Sequence, residues 1–284
     1  MTELSVTLLL NTQTVALRDV VCNGECQHKS AEECAVATHL VFPYRGVYVR
    51  HVGRIDAVAE ANQVLFFNQQ ESYRISHPVT GGDACLSLAI SEPLLVELVP
   101  KERTFESSSL LFRLQRLRID PRAQALVALL RHSLTRGLAE TLQAETLALT
   151  LVRRAVGERT SHMARASAGR QKIVDRAKLV LSSDLGRRWS LAEVATEVGV
   201  SPVYLTQVFQ QVEGMPLYRY QLRLRLARAL DLLGQYDNLT DLGMALGFSS
   251  HSHFSAAFRQ VFGCTPADFQ RSAALRSGPH RAQG

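Results

Sequence analysis

Gly199-Val200-Ser201-Pro202-Val203-Tyr204-Leu205, followed by Phe209 and Gly214-Met215-Pro216, returns in altered form near the C-terminus. The second copy is Gly247-Phe248-Ser249-Ser250-His251-Ser252-His253-Phe254, followed by Phe258 and Gly263-Cys264-Thr265-Pro266. Each copy reads as a short helix, a glycine-containing turn and an amphipathic helix closed by a glycine. That is the helix-turn-helix plan, whose second helix enters a major groove. Two copies at nearly constant offset point to DNA as the partner, not to a reaction.

The surrounding sequence supplies the remaining parts. Ser190-Leu191-Ala192-Glu193 is a capping box opening one helix, and Thr206 to Val212 lies in the first recognition helix. Pro216 starts a long helix through Leu233, with Leu222, Leu226, Ala229, Leu230 and Leu233 inward. Arg219, Arg223, Arg225 and Arg228 lie partly outward on it. Asn238 caps the next helix, which ends near Gly247, and His251 to Phe262 forms the second recognition helix. Ala195 and Gly243 are small enough to let each first helix approach its partner, and Gly199 and Gly247 tolerate positive φ at the turns. Leu205, Phe209, Phe254 and Phe258 anchor the second helices. The outward candidates are Ser201, Val203, Tyr204, Thr206, Gln207 and Gln210 in the first unit. In the second they are Ser249, Ser250, His251, Ser252, His253, Ala256 and Arg259. Gln can read adenine, Arg guanine, and apolar groups the thymine methyl. For any single residue of this set, a solvated helix face competes evenly with a base contact, and His253 could equally help its own unit pack.

Charge agrees with this placement. Residues 1–164 carry 17 Lys+Arg and 17 Asp+Glu, whereas residues 165–284 carry 15 and 9, so the whole +6 excess lies in the C-terminal part. A basic domain beside a neutral one fits a polyanionic partner for the first. No apolar run approaches the roughly 20 residues that cross a bilayer, so no membrane partner is expected. Glu3 and the lack of a basic segment before the short Leu run argue against a signal peptide. Five cysteines, an odd number, fit a reducing cytoplasm better than a disulfide scaffold.

These residues resemble the AraC/XylS transcriptional regulators over roughly residues 170–275. The matching motifs are Leu191-Ala192-Glu193-Val194-Ala195, Ser201-Pro202-Val203-Tyr204-Leu205 with Phe209, and Arg225-Leu226-Ala227-Arg228-Ala229 with Leu232-Leu233. They continue through Gly247 to Phe254, Ala257-Phe258-Arg259 and Phe262-Gly263-Cys264-Thr265-Pro266. The resemblance implies a seven-helix, two-unit DNA-binding domain and an N-terminal domain that senses an effector or mediates dimerisation. Double-stranded operator DNA is the expected partner, with RNA polymerase a further candidate. The chain departs from the pattern at Gln207, at Gln210-Gln211 in place of a basic pair, at Gln270, and at Gly243, which lowers helix propensity by about 1 kcal/mol relative to alanine. Fewer cations in the first unit predict weaker phosphate anchoring there and a shallower salt dependence.

The expected fold class is α+β multidomain. Residues 1–160 form an effector-sensing or dimerisation domain, with a cupin-like β-barrel over about 1–105 and a helical pair over about 107–158. Residues 161–170 read as a linker, 171–275 as the double helix-turn-helix domain and 276–284 as a flexible tail. Short β-rich strings such as Gly46 to Val52 and Gln63 to Phe67, separated by turn signals, support the barrel. Pro121 opens a helix carrying Leu126, Leu129, Leu130 and Leu134; Gly137 interrupts; a second helix carries Leu142, Leu147, Leu151 and Val152. This leucine stripe either pairs two chains as a homodimer or covers the barrel.

Three weaker signals remain. Tyr44, Arg45, Tyr48, Arg50, Tyr73, Arg74 and His77 would suit an anionic or aromatic small-molecule effector, with strand-surface residues as the plainer reading. Cys22, Cys26 and Cys34 could hold zinc, another soft metal ion or a redox couple, with ordinary thiols as the plainer reading. His39, His51 and His77 are too scattered for a catalytic metal centre. A DNA-repair methyl-accepting cysteine at Cys22 or Cys34 lacks the Pro-Cys-His-type surroundings that chemistry uses. No Ser/His/Asp set, carboxylate pair or phosphate-cradling glycine loop stands out, so a non-enzymatic role is expected.

Overall fold

The computed structural model describes residues 4–24, 27–105, 110–163 and 166–275. The expected tail, 276–284, lies outside them. The N-terminal half is built on two antiparallel sheets. One contains β1 (Leu4–Asn11), β2 (Val15–Cys22), β9 (Asp83–Ile90), β4 (His39–Arg45), β7 (Gln63–Phe67) and β10 (Arg116–Arg118), in that spatial order. The other contains β3 (Glu33–Cys34), β8 (Ser72–Ser76), β5 (Tyr48–Val52) and β6 (Ile55–Ala59).

Strand alternation divides the larger sheet into two apolar faces. Leu40, Phe42, Val64, Phe66, Leu86 and Leu88 face α1 (Glu92–Leu98), α2 (Pro121–Thr135) and α3 (Thr141–Val156) in one core. Val41, Leu65, Phe67 and Cys85 face the smaller sheet. Asp120 caps α2 by accepting from the Ala123 N–H at 2.9 Å, with Pro121 in the first turn. Part of the leucine stripe packs within the chain. Leu130 and Leu151 are fully buried against the sheet, while Leu142 is left exposed.

The C-terminal half is helical: α4 (Ala168–Ser183), α5 (Leu191–Val198), α6 (Pro202–Glu213), α7 (Leu217–Leu232), α8 (Leu239–Ala245), α9 (His251–Phe262) and α10 (Pro266–Leu275). The expected helix from Lys172 begins four residues earlier, capped by Ser167. Within the stretch read as a linker, His162 exchanges backbone hydrogen bonds with Arg118 at 2.9 Å, a pairing that side-chain periodicity cannot signal. Two cores share α7. Leu217, Tyr220 and Leu224 pack with α4, α5 and α6; Leu226, Ala229 and Leu230 pack with α8, α9 and Phe269. Ala128 of α2 joins the second core, so the N-terminal half rests directly on the helical half.

Candidate nucleic-acid interface and sensor cavity

Two helix pairs, α5/α6 and α8/α9, are each joined by a glycine in the left-handed region, Gly199 at φ 76° and Gly247 at φ 77°. Ser201 accepts from the Tyr204 N–H at 3.2 Å and Ser250 from the His253 N–H at 3.1 Å, so both second helices start on side-chain caps. The capping box at Ser190 and Glu193 is complete. Hydrogen bonds from Ser190, followed by the Arg187 guanidinium, bring the Glu193 carboxyl down to about 2. A Cβ on Gly243 would lie 3.1 Å from Phe254 Cβ, so the small residue sets how closely α8 approaches α9.

Leu205, Val208, Phe209 and Val212 turn inward from α6, and Phe254, Ala257 and Phe258 from α9. This leaves every sequence-predicted contact exposed: Ser201, Val203, Tyr204, Thr206, Gln207 and Gln210 on one helix, Ser249, Ser250, His251, Ser252, His253, Ala256 and Arg259 on the other. They are exposed with the N-terminal half in place. Val203 is 68% accessible, a strong exposure for an apolar side chain with no function in packing. Thr206 spends its hydroxyl on the Pro202 carbonyl at 3.0 Å, and the Ser201 and Ser250 hydroxyls are engaged as caps. His253 lies 3.0 Å from Ser249 Oγ and meets the Phe248 ring edge-on, which fixes its imidazole.

Two arginine roles escaped the sequence reading. Arg170 reaches over to Gln211 at 2.9 Å, placing an exposed cation beside the cation-poor first unit. Arg225 donates to the carbonyls of Leu185 (2.8 Å) and Arg187 (2.7 Å), while Arg188 donates to Gly247 at 3.2 Å. A Cβ on Gly247 would come within 2.3 Å of Gly186 O. The 184–188 loop therefore ties the end of α4 to the second turn, and the two pairs are held together by this strap as well as by α7. Nothing local in the sequence links positions 186 and 247.

A buried polar seam joins the two halves of the chain. Tyr220 of α7 donates to Glu60 and accepts from Gln63 at 3.2 Å; all three are buried. Arg116 grips Asp175 at 2.6 and 2.8 Å and Arg131 pairs with Asp231 across the junction, while within the helical half Lys178 contacts Glu213 at 2.6 Å. Burial raises the Glu60 carboxyl despite the nearby Lys178 ammonium. At Glu213 burial acts in the same direction, but Lys178, Arg116 and Arg118 together overcome it and hold that carboxyl low.

Between the two sheets lies a cleft of about 500 Å³. Of the predicted effector residues, Tyr48, Tyr73 and His77 line it. The other four point elsewhere. Tyr44 bonds Asp19 at 2.7 Å beneath the Arg131 guanidinium, Arg45 lines a small gap beside Arg228, and Arg74 pairs with Glu32 on the surface. Arg50 is fully buried, stacked 3.8 Å from the Phe67 ring centroid and bonded to Phe66 O and Glu71. Strand alternation turns Tyr44 and Arg74 to the opposite face from their cleft-lining neighbours, whereas Arg50 shares the side of β5 that carries Tyr48 and is covered there by Phe67. Of the predicted thiol set, Cys22 is buried at the cleft, Cys34 is exposed on β3, and Cys26 lies outside the described residues. Instead Cys22 gathers with His77 and Asp83. No helix among the described residues is long and apolar enough to cross a membrane.

A helix-turn-helix domain family model matches residues 194–272. The chain is 36% identical over 93 residues to the HTH-type transcriptional regulator ArgR of Pseudomonas aeruginosa, covering 32% of this chain and 28% of that protein. It is 33% identical over 139 residues to the HTH-type transcriptional activator RhaR of Klebsiella pneumoniae, covering 48% of each. The chain thus spans less than half the length of these curated relatives. A solved transcriptional regulator of the AraC-type DNA-binding domain-containing proteins, from Chromobacterium violaceum, is 35% identical, with a TM-score of 0.36 over 40% of this chain and 99% of that one.

Proposed function

We propose that the chain, which matches a helix-turn-helix domain model over residues 194–272, is a sequence-specific DNA-binding transcription regulator of the AraC type with an effector-sensing N-terminal half. The observation that carries this is the pair of exposed faces on α6 and α9, presented by two helix pairs tied through α7 and the Arg225 strap. Each pair acts as one helix-turn-helix unit. Held rigidly, the two second helices enter successive major grooves about 34 Å apart on one side of the duplex. Gln207, Gln210 and Arg259 read base edges through amide and guanidinium hydrogen bonds, and Val203 and Ala256 meet thymine methyls. Arg170 and the caps at Ser201 and Ser250 set the register on phosphates.

The N-terminal sheets form a cupin-like barrel whose cleft takes the effector. Its volume falls within the range of about 300–1,000 Å³ typical of ligand pockets, and Tyr48, Tyr73 and His77 suit an aromatic or anionic molecule. The seam at Glu60, Gln63 and Tyr220 links this half to the helix that joins the two units. Homodimerisation is supported by edge strand β1, where alternate residues Leu4, Val6 and Leu8 are all exposed. Sedimentation at micromolar concentration tests it: a dimer is expected, and a strict monomer removes that part of the reading.

Selection of sheared genomic DNA by the purified full chain, followed by sequencing, tests the main reading. A small set of enriched fragments sharing a motif is expected. Equal recovery of all fragments at every ionic strength contradicts it.

A further inference from the structure

We propose that Cys22, His77 and Asp83 form a binding site for one divalent transition-metal ion of the zinc class, at the edge of the cleft. All three residues are buried, and one ligand atom from each lies within 4.8 Å of the others. Tetrahedral zinc with bonds of about 2.0–2.3 Å needs ligand atoms about 3.3–3.8 Å apart, a spacing small rotamer adjustments reach from here. Strand register creates the cluster: Cys22 and Asp83 are direct cross-strand partners on β2 and β9, and His77 follows β8. The backbone is drawn tight around them. Gly82, at φ +67°, could not carry a Cβ, which would lie 2.3 Å from Cys22 O, and a Cβ on Gly46 would lie 2.0 Å from Gly82 O.

Charge and hydrogen bonding both point to a cation. His77 Nε2 pairs with Asp83 Oδ2 at 2.7 Å, and His77 Nδ1 is left without a hydrogen-bond partner among the described residues. Both side chains are more than nine-tenths buried. Buried polar atoms are otherwise nearly always satisfied. A thiolate and a carboxylate neutralise a dication, the Cys22 proton leaving to solvent as the ion binds. Thiolate with imidazole selects zinc-like ions over calcium or magnesium. Three protein ligands leave a fourth position for water or for a donor group of a molecule in the cleft.

The test uses the full chain, stripped with chelator and titrated with Co²⁺ alone, then with Zn²⁺. One cobalt per chain is expected, with a near-ultraviolet thiolate charge-transfer band and intense tetrahedral visible bands that zinc abolishes. Cys22→Ser should remove the charge-transfer band. His77→Gln and Asp83→Asn should weaken binding by at least about 100-fold, the upper end of what losing an outer partner costs. Cys34→Ser should change nothing. Circular dichroism checks that each variant folds, and the wild-type spectrum decides on the thiolate even if Cys22→Ser does not. The proposal is overturned by the absence of a stoichiometric ion in the wild type, by a band that survives Cys22→Ser in folded protein, or by one lost in Cys34→Ser. DNA is absent throughout, so the result is independent of the regulator reading.

Discussion

The Tyr220 hydroxyl donates to the Glu60 carboxyl across the junction of the two halves, and both groups are fully buried. A tyrosine of the helix shared by both helix pairs thus ends on the turn between two strands of the N-terminal half. Tyr220→Phe removes one hydroxyl and leaves Glu60 Oε1 and the Gln63 amide without that partner. An unsatisfied buried polar group costs about 1–3 kcal/mol. Urea unfolding of the full chain should shift by that amount, while the DNA-contact faces stay intact. An unchanged midpoint would mean the seam is only a passive contact.

The seam also has a pH signature. Although burial opposes it, Lys178 with Arg116 and Arg118 holds the Glu213 carboxyl below its ordinary 4.5. A carboxylate depressed in the folded state stabilises above its unfolded value, and that contribution disappears as pH falls through the folded one. Wild type should therefore lose stability relative to Glu213→Gln as pH drops below about 4.5, the two curves converging in acid. At neutral pH, Glu213→Gln strands the Lys178 ammonium and should cost about 3–5 kcal/mol. Parallel curves across the whole range would contradict the pairing.

The two turn glycines should differ in tolerance. Gly199 needs only positive φ, with nothing within 4 Å of an added Cβ. Gly199→Ala should cost about 1–2 kcal/mol of left-handed strain. Gly247 bears the same strain and would also drive its Cβ to 2.3 Å from Gly186 O. Gly247→Ala should be clearly the more destabilising, and should loosen the strap between the units. Thermal denaturation of both variants decides, and equal losses would rule the strap out.

Base reading and phosphate anchoring should separate by salt. Gln207→Ala should cost about 1–3 kcal/mol and relax preference at one position of the selected site. Arg170→Ala should weaken all sites alike and reduce the slope of log affinity against log salt by about 1. Titrations on matched and mismatched duplexes at several salt concentrations check both. An Arg170→Ala effect confined to one sequence would move that residue from phosphate to base.

How much of this was legible in the sequence depended on range. Caps and turns are local, so Ser190, Asn238, Gly199 and Gly247 announced their roles within a few residues. Exposed faces followed from helical periodicity. Contacts between distant strands carry no such period. Arg50, read as lining a ligand site, lies on the same side of its strand as Tyr48 but is sealed by Phe67 and Glu71, partners that tertiary packing and not the pleat supplies. Cys22 found His77 and Asp83 rather than Cys34, since cross-strand register and not spacing along the chain brings ligands together. The Arg225 strap was hidden for the same reason.

Spacing on the DNA tests the rigid pairing of the two units most directly. In a selected site, inserting about 5 base pairs between the two half-sites turns one major groove to the opposite side of the duplex. The full chain should lose most of its specific affinity for that duplex and fail to regain it when about 10 base pairs are inserted, because the second groove, back on the same side, then lies about 34 Å too far along. Affinity unaffected by the half-turn insertion would contradict two recognition helices fixed in one body.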